Sequence, residues 1–231
     1  MQGSFLNVMY GEFVVENSIA EDSDFRNTLL FISTKSWIHL LDYQYNLIYG
    51  YKKQLFTINL TFNAEDFFHL AGFHYLDDLA LPHYNSKNLI KKIMSGVLIQ
   101  AQIEKSRNYN EMVLPRLQAL SSLENVLNGD FKLFSFRPEM YSTFRTSINA
   151  KYLIQSSLNG ITYVFLFGEK SKEKIQNCFC RSIFVGGQRN YTENQRMFTL
   201  LKKSRIQIKR KEETVLFIRD GFIDNKDSNE L

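Results

Sequence analysis

His69 and His74 flank Gly72 in a run whose residues at 67, 68, 73 and 75 are all aromatic. Imidazole changes charge near neutral pH, and partial desolvation by neighbouring rings moves that titration, so the pair has the chemistry of proton transfer. On residue type alone, a histidine packed into a turn is the commoner reading. His39 falls among the polar positions of a helical stretch and His83 follows Pro82 in a turn, so both read as solvated. A second cluster, Lys105-Ser106-Arg107 with Arg116 beyond it, is either the solvated basic end of a helix or a clamp for phosphate. Cleaving a phosphodiester without metal requires fixed cations that hold the phosphate and balance charge growing on its oxygens, and lysine and arginine supply them. A third group lies late in the chain: Arg181 and Ser182 in an apparent strand, then Tyr191, Gln195 and Arg196.

Whole reaction classes drop out by absence of their motifs. The chain has no Walker A loop, G-x-G-x-x-G, H-E-x-x-H, G-x-S-x-G or C-x-x-C. Gly186-Gly187 is weak as a phosphate cradle and ordinary as a turn. Cys178 and Cys180 alternate with Phe179 in a strand, which puts their side chains on one face and places them poorly to bridge each other. No further His or Cys cluster completes a metal site, so the pair reads as two small buried residues in a reducing compartment.

With 231 residues, 44% hydrophobic and 14% aromatic, the chain can bury a sizeable core. Its net charge of +4 and isoelectric point near 8.9 are mildly basic, short of the value above about 9 that marks a nucleic-acid footprint by itself. No segment has the order of a secretory leader, and no apolar run approaches the ~20 residues of a membrane helix, so a cytoplasmic protein without membrane contact is expected.

The candidate residues need elements to hold them. Gln54 to Thr61 alternates as a half-buried strand, and Asn63 then caps a short helix through Phe67, Phe68 and His69 that stops at Gly72. Upstream, Trp37, Leu40, Leu41, Tyr45 and Ile48 predict an amphipathic helix over Thr34 to Tyr51. Helices are expected over Lys87 to Ser95 and Glu111 to Leu127, while the intervening stretch from Val97 to Tyr109 fits helix or strand equally. The second half predicts strands over 131–136, 150–157, 161–168, 177–185, 204–211 and 214–218. Asn159-Gly160 supplies a hairpin signal and a helix over Glu193 to Lys203 interrupts the series. In the basic strand Lys202 to Lys211, Ile206 and Ile208 face inward, and the cations outward serve either an RNA backbone or the protection of a sheet edge. Helices first and strands afterwards make an α+β fold.

FFHLAGFHYLDDL at positions 67 to 79 resembles the phage-associated nucleases of the barnase, EndoU, colicin and RelE-like (BECR) superfamily, in particular their fourth phage-type family. The likeness extends diffusely over residues 36 to 217. It implies a metal-independent ribonuclease toxin of phages or mobile elements, with N-terminal helices packed on a curved antiparallel sheet and no cofactor. His69 falls on the family's His-Leu-x-Gly signature and becomes the general base or acid. Lys105 and Arg116 carry over as phosphate-binding catalytic residues, Ser182 as a further catalytic position, and Ser106, Arg181, Tyr191 and Gln195 as substrate-binding residues. Arg181 stands where the family favours proline. Residues 1–33 then form an N-terminal arm, 34–219 the nuclease domain and 220–231 a flexible tail. The partners implied are RNA and an acidic antitoxin or immunity protein. The rival is a phage or mobile-element interaction or RNA-binding protein that keeps the fold without the chemistry.

Overall fold

A computed structural model describes residues 25–79, 85–158, 160–168 and 173–224. Most of the N-terminal arm, His83, Asn159 of the hairpin signal and residues 225–231 of the tail lie outside the described residues.

The helix expected over Thr34 to Tyr51 is in fact two elements. Helix α1 spans Leu29–Leu40, with Thr28 as N-cap, and strand β1 spans Tyr43–Tyr51. Two periods overlap here. Leu30, Trp37 and Leu40 share the buried face of the helix, whereas Tyr45, Leu47 and Tyr49 alternate and are buried on one face of a strand. The aromatic run Tyr43-Gln44-Tyr45 favours a half-buried pleated surface over a helix interior. Lys52 and Lys53, both at positive φ, turn β1 into β2 (Gln54–Thr61), its antiparallel partner.

Short turns follow β2, among them α2 (Phe67–Leu70), and then α3 (Ser86–Met94), capped by the Asn85 side chain. The undecided stretch contains α4 (Gln100–Ile103). A π turn at Tyr109–Val113 leads into α5 (Leu114–Asn128). Strands β3 (Lys132–Ser135), β4 (Tyr152–Ser156), β5 (Thr162–Gly168), β6 (Ile175–Val185), β7 (Met197–Gln207) and β8 (Glu212–Ile218) complete the chain. The helix expected over Glu193 to Lys203 is a turn followed by β7. Tertiary pairing overrides local spacing there, because β7 pairs with β1 from Thr199 to Gln207 and with β3 at Met197 and Phe198.

The strand order is β1-β2-β6-β5-β4-β3-β7-β8, and β7 returns to β1, so the curved sheet closes into a barrel. The expected α+β class holds. All pairs are antiparallel except β2 with β6, which makes the sheet mixed. Helices α1 and α5 cover one face, where Trp37, Leu40, Leu117 and Leu120 share a core with Leu47, Ile58, Cys178 and Cys180. The opposite face of β3, β4 and β5 carries a second core, Phe134, Leu153, Tyr163 and Phe165. The loops 136–151 and 186–196 add Tyr141 and Tyr191 to it. Both cysteines are free and buried, and burial pushes the Cys178 thiol up to about 11.

The basic stretch turns only part of its cations outward: Lys209, Arg210 and Lys211 are exposed, as is Ile208, which was expected inward. Lys202 and Lys203 are buried, and Lys202 Nζ lies 2.9 Å from Asp224. Lys203 Nζ donates to the carbonyls of Asn128 and Gly129 (3.1 and 2.5 Å) and lies 4.7 Å from the Phe131 ring, so it caps the negative end of α5. Burial pulls Lys203 down to about 8. Below that pH both states carry its proton. Between pH 8 and the unfolded value of 10.5 the folded chain has released a proton that the unfolded chain still holds, so this group favours folding more as pH rises. Lys203→Met is expected to cost about 1–2 kcal/mol at neutral pH through the lost hydrogen bonds. Denaturant unfolding should show a larger difference between wild type and variant at about pH 9.5 than at about pH 7.5.

Candidate active site

Gly72 sets the geometry of the histidines. It follows α2 at φ 83° and reverses the chain into a single turn, Phe73–Tyr75. His69 ends one turn and His74 sits in the next, so their rings stack with centroids 4.2 Å apart at 14°. Tyr75 lies against His74 at 3.9 Å. A Cβ on Gly72 would come within 3.0 Å of both the Met112 carbonyl oxygen and Arg116 Cδ, so this turn and the start of α5 approach as closely as glycine allows. Gly72→Ala is therefore expected to cost about 1–2 kcal/mol from the left-handed backbone alone. It should also displace Arg116, lowering both the thermal midpoint and the cleavage rate in one variant.

Arg116 lies just beyond the π turn and Pro115. Its guanidinium donates to the Met112 carbonyl and, at 3.4 Å, to the Tyr75 hydroxyl. Its Cζ lies 4.8 Å from the Tyr75 ring and 5.9 Å from the Phe184 ring. Arg181 reaches the same place from β6 through a β-bulge. Leu166 pairs with Cys180 and Phe165 with Ser182, which leaves Arg181 as the extra residue, exposed and re-aimed by the bulge. Among the described residues, neither arginine has a carboxylate within ion-pair distance.

These charges act on the imidazoles. Burial, then Arg181, then Arg116 hold His69 below its ordinary value. Burial, then His69, then Arg116 push His74 down to about 4. The repulsion between stacked rings favours the state in which at most one is protonated. Asp66, three residues before His69, is half-buried, and burial raises it, with Asn63 donating to it at 3.3 Å.

The structure thus brings together His69, Arg116 and Arg181 of the expected residues and adds His74 and Tyr75 to them. Tyr191 stands behind the site, buried at 7% against Phe184, at 5.3 Å between centroids. Ser182 follows the bulge, half-buried opposite Phe165. Lys105 is exposed beside Ser106 after α4. Ser106 itself is 5% exposed and donates to Asp78 Oδ1 at 2.6 Å, while the Arg107 and Asn108 amides donate to Asp78 and to the Ser106 hydroxyl. Asn108 also donates to the Tyr75 carbonyl at 2.7 Å, so this knot braces the histidine turn. The Gln195 amide is spent on the Arg137 backbone, accepting its N–H at 2.7 Å and donating to its carbonyl at 3.0 Å. Among the described residues, no group of three or more His, Cys, Asp or Glu is placed to hold a metal ion. No helix among them is long and apolar enough to cross a membrane.

A family model described as phage-Barnase-EndoU-ColicinE5/D-RelE like nuclease 4 matches residues 30–220. The chain belongs to this family. No curated protein and no solved structure matches it. The matched span runs from the start of α1 past the end of β8, so the whole barrel, both arginines and the histidine turn belong to the nuclease unit. In this BECR-type nuclease the sequence signal for His74 was its place with His69 on either side of Gly72 among aromatics. No local signal announces the bulge that aims Arg181.

Proposed function

We propose that this nuclease is a metal-independent endoribonuclease that cleaves RNA by attack of a ribose 2′-hydroxyl on the adjacent phosphorus. The observation that carries the reading is a stack of two imidazoles within electrostatic reach of Arg116 and, for His69, of Arg181, neither arginine having a carboxylate within ion-pair distance among the described residues. Arg116 and Arg181 bind the scissile phosphate and balance the charge on its non-bridging oxygens.

His74, the imidazole that stays neutral, accepts the 2′-hydroxyl proton as the new P–O2′ bond forms. His69 donates a proton to O5′ as the P–O5′ bond breaks, because a phosphate anion between Arg116 and Arg181 offsets the two cations that depress it. The products are a 2′,3′-cyclic phosphate and a 5′-hydroxyl, with no net proton consumed. Lys105 and Ser182 are assigned the flanks of the scissile nucleotide, with Ser106 and Tyr191 bracing the site, while Gln195 joins loops 186–196 and 136–151 away from it. A toxin role in a phage or mobile element, with an acidic inhibitor covering the cationic site, follows from this activity.

The test is incubation of purified protein with total RNA in excess EDTA beside a His69→Ala sample, with end-group analysis of the fragments. Wild-type cleavage leaving cyclic phosphate is expected. Intact RNA from folded, inhibitor-free protein, or fragments ending in plain 3′-hydroxyl, overturns the reading.

A further inference from the structure

The two loops that cover the second core carry mainly arginine. Loop 136–151 contains Arg137 and Arg145, with Lys151 at its end beside β4, and loop 186–196 contains Arg189 and Arg196. All four arginines are exposed. Among the described residues, none has a carboxylate within ion-pair distance. The β7–β8 region behaves differently: Arg205 pairs with Glu124 at 2.9 Å, Lys209 and Arg210 have acidic partners, and Lys202 and Lys203 are buried. Much of the surface that the sequence offered for a nucleic-acid backbone is thus paired or turned inward, and Lys209, Arg210 and Lys211 are left exposed at its end.

The loop arginines also sit on rings. Arg189 Cζ lies 5.5 Å from the Phe144 ring, and Arg196 lies 5.2 Å from the Tyr51 ring and donates to its hydroxyl. Phe144 touches Tyr191 (5.1 Å), Tyr191 touches Phe184 (5.3 Å), and Arg116 lies over Phe184. A chain of ring and guanidinium contacts therefore runs from His74 through Tyr75, Arg116, Phe184 and the buried Tyr191 to Phe144 and Arg189, and Arg196 on Tyr51 stands apart at the other end of the loop. Loop 186–196 starts at the end of β6, beside the site, passes Tyr191 over β5 and reaches Arg196 at the start of β7. It crosses four inter-strand spacings, roughly 19 Å.

We propose that this arginine and aromatic path, from Arg181 through Arg189 to Arg196, is the binding track for the single strand that flanks the scissile phosphate. A guanidinium beside a ring has five N–H donors, enough to contact phosphate oxygens even where one is spent on a ring hydroxyl, and its planar face can take a stacked base, which a lysine cannot. Stacking on successive platforms beside a cationic groove is the way single strands are held without sequence readout. A duplex would not bring its bases to these rings, so the substrate class is unpaired RNA. The rival occupant, an acidic protein, matches the charge and leaves the stacked faces without use.

The inference rests on the nuclease reading, and its test is read by binding alone. A fluorescein-labelled single-stranded RNA, 2′-O-methylated throughout so that it lacks the attacking hydroxyl, is titrated with protein at several salt concentrations and followed by anisotropy. Arg189→Ala/Arg196→Ala is expected to weaken binding about tenfold or more, the range for losing base stacking. It should also reduce the slope of log affinity on log salt by about 1.4 for two lost phosphate contacts on a single strand. Arg189→Lys/Arg196→Lys should keep the slope and lose most of the affinity, and Lys209→Ala/Arg210→Ala should change neither. Circular dichroism confirms the fold of each variant. Equal binding by wild type and the double alanine variant overturns the track, as does wild-type protein that leaves the strand unbound, the result expected if the surface serves an acidic protein. Cleavage of unmodified RNA is scored separately. Loss of binding in the variant with no cleavage by wild type overturns the ribonuclease and leaves the track; cleavage with unaltered binding does the reverse.

Discussion

His69→Ala is expected to lower the rate of RNA cleavage by about two to four decades, the range for losing a general acid or base, while thermal unfolding stays close to wild type. The fold tolerates the change because the side chain is exposed to solvent and its ring partner, His74, is itself exposed. The pH profile carries the sharper expectation. In the free enzyme the productive state holds one proton on the stacked pair. Adding a second proton requires protonating His74, held at about 4, and losing the first follows the titration of His69, which lies below the ordinary histidine value. The profile of kcat/KM is therefore a bell whose maximum lies on the acid side of neutrality and whose alkaline limb falls about tenfold per pH unit. Removing either imidazole deletes one limb. A profile of His69→Ala that keeps both limbs at reduced height would show that another pair moves the protons.

The turn at Gly72 was legible in the sequence because its signals are local: a glycine that permits positive φ, aromatics that close over it, and two histidines placed about it. The strands β2, β4, β5 and β6 were legible for the same reason, through alternation over a few residues. What the sequence concealed depends on distant pairing. Tyr43–Tyr51 looks helical until β2 and β7 flank it, and residues 197–203 look helical until β1 and β3 do. The positions of the cations were hidden likewise. Lys203 reads as a surface residue, and only the arrival of the α5 carboxyl end beside β7 makes it a buried cap. Arg181 carries over by resemblance as a substrate-binding strand residue, and only the register of β5 against β6 shows it to be the bulged one. Residue type and family resemblance named His69, Arg116 and Arg181, and only the barrel shows how they are placed, because type is local and placement depends on distant pairing.

Arg116 is the residue whose loss separates chemistry from structure. Arg116→Gln is expected to reduce cleavage by about two to three decades, comparable to removing a donor aimed at developing oxyanion charge. The same variant moves two titrations. Arg116 lowers both His69 and His74, so its removal lets both rise toward the ordinary value, and NMR titration of the ring protons should record both shifts in the same direction. Arg116→Lys discriminates further. It keeps a positive charge near the rings, so the histidine titrations should stay close to wild type. The planar fork that donates to Met112 and lies over Tyr75 and Phe184 is lost, so much of the rate should be lost with it. A variant that restores charge and titration without restoring rate places the guanidinium geometry itself on the phosphate. If Arg116→Lys restores full rate, the site needs only charge at this position, and the stacking of Arg116 on Tyr75 belongs to the fold alone.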